Sequence, residues 1–451
     1  MWRLTRPFAF HFFLLLLLLL LVPVSTYADE FKVEVGQSVQ RAVDSASIGD
    51  TILISPGVYK ESVVINKEVS IKGEEGAIID GGGKGNVITV TASNVVLDGL
   101  IIQNSGSGQE DSGIYINKAD RNVIQNNLLK NVQNGIFLAN SNENKLLGNR
   151  IASNESHFSK RGNGIHMFKG GGHLLKENEI ANVQDGIYFD FTKGIKLQGN
   201  HISESRYGMH MMFSEDILAE KNLVEKNVTG LMVMGSARID FIENKVTDHF
   251  HFRGYGILIY ETKDVLIEGN EILRNSTGLS LEYGVDTLVN RNQIAANQVG
   301  LEFMGKNENN TFSENNFIGN VVQSKISGED MRLDDGVKGN YWDDYSSFDL
   351  SGDGMGEEAY KAGSLYDRLL RKQPYWQFFF ESPSIKLWTK AEALFPSFGA
   401  ADVYDARPLV EPVTMLKEEE QRSKDRMMPG VLGVLFILFS IFVIVKGRKL
   451  R

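Results

Sequence analysis

Residues 186–234 read GIYFDFTKGIKLQGNHISESRYGMHMMFSEDILAEKNLVEKNVTGLMVM, and in them a glycine followed by alternating apolar residues comes round three times, at Gly186, Gly208 and Gly230, with a step of 22. An asparagine keeps the same step at Asn200 and Asn222. Short period-2 runs separated by Asn, Gly and Ser in a unit of this length are too brief for a helix pair or a propeller blade. They suit one coil of a parallel β-helix.

The marker extends in both directions. It occurs as GIYI at Gly113, GIFL at Gly135, GIHM at Gly164, GILI at Gly256, GLSL at Gly278 and GLEF at Gly300, so the successive intervals are 22, 29, 22, 22, 22, 26, 22 and 22. The second marker runs through Asn127, Asn149, Asn178, Asn200, Asn222, Asn244, Asn270 and Asn292. Coils stacked at about 4.8 Å let these asparagines hydrogen-bond along a ladder, and the column glycines are expected to supply positive φ at the corner. SVQRAVDSASIGD, Ser38 to Asp50, has apolar residues at helical spacing and is expected to cap the N-terminal end. The repeat fades after about residue 320, which places the C-terminal cap between there and residue 345.

The two ends read differently. Arg3 and Arg6 precede a leucine-rich run and the small residues STYA, the pattern of a secretory signal over residues 1–28. PGVLGVLFILFSIFVIV, residues 429–445, is expected to cross a membrane as a helix, with the basic tail 446–451 inside and the body outside. The expected organisation is therefore an all-β, right-handed parallel β-helix over 29–345, a helical extension and stalk over 346–428, and a transmembrane anchor. A net charge of -10 argues against nucleic acid as a partner. The absence of cysteine in an exported chain excludes disulfides and leaves only His, Met or carboxylate to hold a metal.

Strand alternation assigns the side chains to faces. Counting from each glycine, positions +1 and +3 are apolar in every coil and point inward, which makes Met209 and Met211 core residues. Positions +2 and +4 point outward. The +2 column runs Tyr115, Phe137, His166, Tyr188, His210, Met232, Leu258, Ser280 and Glu302, and the +4 column includes Asp190, Met212, Met234, Tyr260 and Glu282. His210, Met212, Met232 and Met234 thus form a rectangle on two adjacent coils. One imidazole and three thioethers are a donor set that prefers Cu(I) to zinc, calcium or magnesium. An apolar docking face for a protein partner accounts for the same residues.

The two long intervals are insertions, ASNESHFSKRGN and TDHFHFRG, and both bring histidine: His157 in the first, His249 and His251 in the second. With His166, they complete the candidate metal residues. His173 and His201 read as structural. Further on, Asp349, Ser351 and Asp353 before Gly354 match the opening of a calcium loop, but Tyr360 stands where a bidentate Glu would close it, so a plain Asp/Gly turn is the stronger reading.

Together the opening VGQSVQRAVDSASIGDTILISPGVYKE, the repeated G-I/L coils, the GNYWDDY and DLSGDGMG segments and the tail RLLRKQPYWQFFFESPSIKLW make the chain resemble the NosD family of nitrous oxide reductase maturation proteins. The coils and the GNYW segment are shared with other β-helix proteins of the carbohydrate-binding and sugar-hydrolase type, so the tail is the more specific part. The resemblance implies an extracytoplasmic, non-enzymatic protein that handles copper. Its implied partners are the ATPase and permease of an ABC transporter, a copper chaperone, and nitrous oxide reductase, whose copper–sulfide centre it would help assemble. Many relatives are purely soluble, a departure from the membrane anchor expected here. The competing readings are a carbohydrate-active enzyme on acidic polysaccharide, which would need carboxylates or a base with an Arg beside it on one outer face, and a metal-free docking protein.

Overall fold

The computed structural model describes residues 29–153, 158–252, 254–327, 331–361, 374–379, 382–385, 387 and 403–414. The signal segment, His157, the apolar run at 429–445 and most of the extension from 362 to 402 lie outside these residues. No helix among the described residues is long and apolar enough to cross a membrane.

The chain winds as the expected right-handed parallel β-helix. Each coil contributes a strand to each of three faces. The first face stacks strands such as Asp185–Gln198, Tyr207–Met212, Thr229–Met234 and Tyr255–Tyr260, every one parallel to the next. The second stacks Glu215–Glu220, Ala237–Ile242 and Lys263–Glu268, and the third His201–Ser203, Leu223–Glu225 and Lys245–Thr247. Asp185–Gln198 runs unbroken around a corner and belongs to the first and second faces at once. Among the described residues, these two faces form a sheet of 24 strands and the third face one of 13.

Period-2 alternation fills the interior. Ile187 and Phe189, Met209 and Met211, Leu231 and Val233, and Ile257 and Ile259 are all buried, one pair above another. Each such side chain removed from water stabilises the fold by about 1.5–3 kcal/mol, and each has its register neighbour on the next coil. The apolar gain is therefore a property of the stack.

The asparagine marker forms the ladder its spacing predicts. Asn200 donates its backbone N–H and its Nδ2 to Asn222 Oδ1, both at 2.9 Å, and a second Nδ2 hydrogen bond to Leu175 O at 2.9 Å. The same pattern climbs through Asn244, Asn270 and Asn292 and goes on to Asn315 and Asn340. A second column at another corner comprises Asn227, His249, Asn275, Asn297 and Asn320.

The glycine column departs from expectation. Gly186, Gly208 and Gly230 are not among the residues with positive φ. They are glycine because a Cβ on Gly186 would sit 2.5 Å from Gly208 O, and one on Gly208 2.7 Å from Gly230 O. Close approach of backbone between coils, and not left-handed geometry, sets that position. The left-handed corner falls after the +4 position, at Phe191 (φ 54), Phe213 (φ 49), Gly235 (φ 56) and Tyr283 (φ 56).

Both ends are closed. Helix Val39–Ser45 covers the first coil with Val39 and Val43 buried. The Glu61 carboxylate takes its first backbone donors, Val39 N at 2.7 Å and Gln40 N at 3.2 Å, as the exposed amides of a helix start require. At the other end the last rung is Tyr341–Trp342, within the expected range. The closure also uses residues from far beyond 345. Asp405 occupies the next ladder position and accepts from Asn340 N at 2.7 Å, Asn340 Nδ2 at 3.1 Å and Trp342 Nε1 at 3.1 Å, while Trp342 stacks between Phe317 and Tyr360.

Candidate metal-handling face

Register pairing places His210 directly beside Met232 and Met212 beside Met234 on neighbouring strands of the first face. Met209 and Met211, one residue away from each, are buried in the core. The outward side chains are less open than alternation alone implies: His210 is 8% exposed, and Met212, Met232 and Met234 are half-buried. Aromatic neighbours do the covering. Phe137, His166, Tyr188 and His210 follow one another up the column with ring centroids 4.2, 4.7 and 5.0 Å apart, and Tyr207 meets His210 edge-on at 4.8 Å. Tyr188 also donates its hydroxyl to Met212 Sδ at 3.3 Å.

His210 is held from behind. Its Nδ1 is 2.9 Å from Asp185 Oδ2, and Arg206 grips the same carboxylate through Nε to Oδ1 at 2.8 Å and Nη2 to Oδ2 at 2.7 Å. Burial alone would raise the Asp185 carboxyl, but the hydrogen bonds from His210 and Arg206 outweigh it and hold the group below its ordinary value. His210 Nε2 is buried with no hydrogen-bond partner in the protein, as is Nε2 of His166, His173 and His249. Asp190, paired in register with Met212, is pushed upward by burial, with Lys169 pulling it back.

The remaining candidates separate. His166 stays in the outer column, two coils from His210, with burial driving its imidazole down to about 4. His251 is exposed and lines a cavity of about 330 Å³ together with Arg206, Tyr207, Met232, Tyr255 and Leu258. His249 does not reach that face: it is fully buried at a ladder position, where Nδ1 faces Asn227 N at 3.0 Å, and burial lowers it to about 4. The insertion begins one residue too late to carry it outward. His173 is likewise buried and accepts from Asn144 N, and His201 is bonded to Glu225, as their structural reading requires.

Among the described residues no group of three or more His, Asp or Glu side chains converges to hold a metal. The donors that do adjoin, one imidazole and thioethers, suit a soft monovalent ion as cargo. The turn at Asp349 is self-satisfied: its carboxylate accepts from Gly352 N, Asp353 N and Gly354 N at 2.6, 3.2 and 2.8 Å, which accounts for the Asp/Gly spacing without calcium.

Sequence reasoning missed Asp185 and Arg206. Simple alternation through Gly186 would turn Asp185 inward, yet its carboxylate meets the outer face because the alternation slips at the glycine. The visible signal was a charged residue just before a column glycine, where the neighbouring coils carry Asn134, Tyr207 and Thr229.

The fold and this face define a parallel β-helix whose outer surface gathers soft donors next to a buried acid–imidazole pair. The chain belongs to the NosD family, described as periplasmic copper-binding proteins, whose family model matches residues 74–159 and 153–347. Two relatives, each called a probable ABC transporter binding protein NosD, are 29% identical over 186 residues in Stutzerimonas stutzeri and 30% identical over 171 residues in Pseudomonas aeruginosa. The matches cover 38% and 35% of this chain, and under half of the relatives, 43% and 40%. Among solved structures, the family 28 exopolygalacturonase of Yersinia enterocolitica is similar at a TM-score of 0.51 and 11% identity, covering 67% of this chain and 76% of that one. An identity that low shows the shared fold alone.

Proposed function

We propose that this protein is an extracytoplasmic accessory factor that receives and passes on Cu(I) during maturation of nitrous oxide reductase, working beside an ABC transporter and a copper chaperone. The observation that carries the reading is the register pair His210–Met232 and its neighbour Met212–Met234, which sets His210, with its buried and unpartnered Nε2, in line with Met232 of the next coil. Neutral soft donors hold Cu(I) without adding negative charge, which suits an ion that must leave again. Family membership supports copper as the cargo, and the relatives' printed name supports the transporter. His251 and Met232 line the same cavity, which supports a part for His251 in receiving the ion.

The test is a Cu(I) titration of the purified full chain against a competing chelator. The double substitution Met212→Leu, Met234→Leu is expected to weaken binding at least tenfold, and unchanged affinity would remove the site. A second reading, a polysaccharide-active enzyme, draws on Arg206 standing beside the Asp185–His210 pair. Release of unsaturated uronic acids from a polysaccharide substrate would favour it.

A further inference from the structure

The buried histidines among the described residues differ in what sits at Nδ1, and we infer that Asp185 is the positioning residue that makes His210 the one able to bind an ion through Nε2. This rests on the reading of His210 as a copper ligand.

A carboxylate oxygen only accepts, so the Nδ1 that lies 2.9 Å from Asp185 Oδ2 carries the proton. The neutral ring then leaves Nε2 bare, its lone pair buried and unpartnered. His173 is the reverse. Its Nδ1 accepts the backbone N–H of Asn144 at 3.1 Å. A neutral ring that accepts at Nδ1 must carry its proton on Nε2, where no lone pair is free. His166 falls with it, its Nδ1 facing the Asn163 amide Nδ2 at 3.5 Å. His249 Nδ1 faces both Asn227 N at 3.0 Å and Asn227 O at 3.1 Å, so its surroundings select neither tautomer. All four Nε2 atoms are buried without a partner in the protein, yet His210 alone has a carboxylate at Nδ1. Burial and loneliness therefore do not choose the ligand; the acceptor-only group behind the ring does.

Arg206 completes the device. Its two hydrogen bonds to both Asp185 oxygens fix the carboxylate plane, so that Oδ2 keeps facing the imidazole. The arrangement is that of a carboxylate orienting a ligating histidine from behind, which typically contributes 10–100-fold in metal affinity.

Asp185→Asn is a discriminating substitution because it keeps shape. Arg206 donates to both oxygen positions, Nε to Oδ1 and Nη2 to the Oδ2 that His210 also faces, so either amide orientation sets the NH₂ against one of its donors and the fixed acceptor-only group behind Nδ1 is lost. The Nε2–H tautomer of His210 then gains population. In the full chain, long-range ¹H–¹⁵N spectra should show His210 protonated at Nδ1 and His166 and His173 protonated at Nε2. Asp185→Asn should shift the His210 proton toward Nε2 and weaken Cu(I) binding about tenfold or more; Asp185→Glu should restore part of it. A parent spectrum with the proton on His210 Nε2 overturns the inference whether or not Asp185→Asn folds. If His210→Leu weakens Cu(I) binding but Asp185→Asn stays within twofold, the positioning role falls and the copper site stands. If neither changes the affinity, both fall.

Discussion

At the asparagine corner each side chain is used up by the coils on either side of it: Asn222 Oδ1 receives both donors of Asn200, and its own Nδ2 goes to Leu197 O and Asn244 Oδ1. On the outer column of the first face the same stacking register brings His210 and Met232 together and leaves a nitrogen without a partner. Repetition of one residue type satisfies a polar column, because amides are donor and acceptor at once. Mixing imidazole, phenol and thioether in a column leaves groups unmatched, and those are free to meet something that is not protein. The contrast between the two columns is one of satisfied and unsatisfied polar groups.

The sharpest way to break that contrast is to exchange their roles by substitution. Asn222→Leu leaves the Asn200 backbone N–H with no acceptor inside the protein and its amide with Leu175 O alone, and strips Leu197 O and Asn244 Oδ1 of their donor, so a loss of roughly 3–5 kcal/mol is expected, read as a large drop in the thermal unfolding midpoint. Met232→Leu, on the next strand of the outer face, should stay within about 1 kcal/mol. Similar losses from the two would mean that the outer column is scaffold as well.

A smaller effect is expected at the end of the ladder. Asp405→Ala strips acceptors from Asn340 and Trp342 and should cost about 2–4 kcal/mol, while Asp405→Asn, which continues the column with its own residue type, should recover most of that. Chemical denaturation of the three proteins makes the comparison. Equal loss for both substitutions would show that the charge, and not the acceptor geometry, matters there.

The smallest effect depends on pH and tests the odd member of the second column. His249 has its imidazole lowered by burial to about 4, below the ordinary value near 6.5. The unfolded chain takes up a proton as pH falls through 6.5, and the folded chain does not until about 4. The stability tied to this residue is therefore present above pH 6.5 and is lost as pH falls toward 4, by up to about 3 kcal/mol. His249→Asn, matching Asn227 below and Asn275 above, should flatten that part of a midpoint-against-pH curve. His166 and His173, lowered to about the same value by the same cause, keep the rest of the slope.

Much of the architecture was legible because a 22-residue period fixes both the stacking register and the inward or outward side of each strand residue. The rectangle of His210, Met212, Met232 and Met234 followed from counting. Three features did not. Glycine was read through its freedom of φ, whereas here it is required by the carbonyl of the next coil, a contact invisible within a single repeat. His249 was read as a loop residue because it sits inside an irregular interval, yet it lies 22 residues after Asn227 and so obeys the hidden second ladder. Asp185 and Asp405 act across a parity slip and across a 65-residue separation from Asn340, neither of which a local pattern registers.

Asp185 stands one residue before the coil at Gly186, and His210, Met212, Met232 and Met234 fall on the two coils that follow, at Gly208 and Gly230. Those coils could be cut out as a cassette and grafted into an unrelated solenoid of the same pitch, bringing the imidazole, its carboxylate and the thioethers along in the same register. A lineage that lengthened or shortened itself by whole turns on either side would slide this block toward one tip or the other without rewiring it, and in that way change which neighbour it faces while keeping what it can hold.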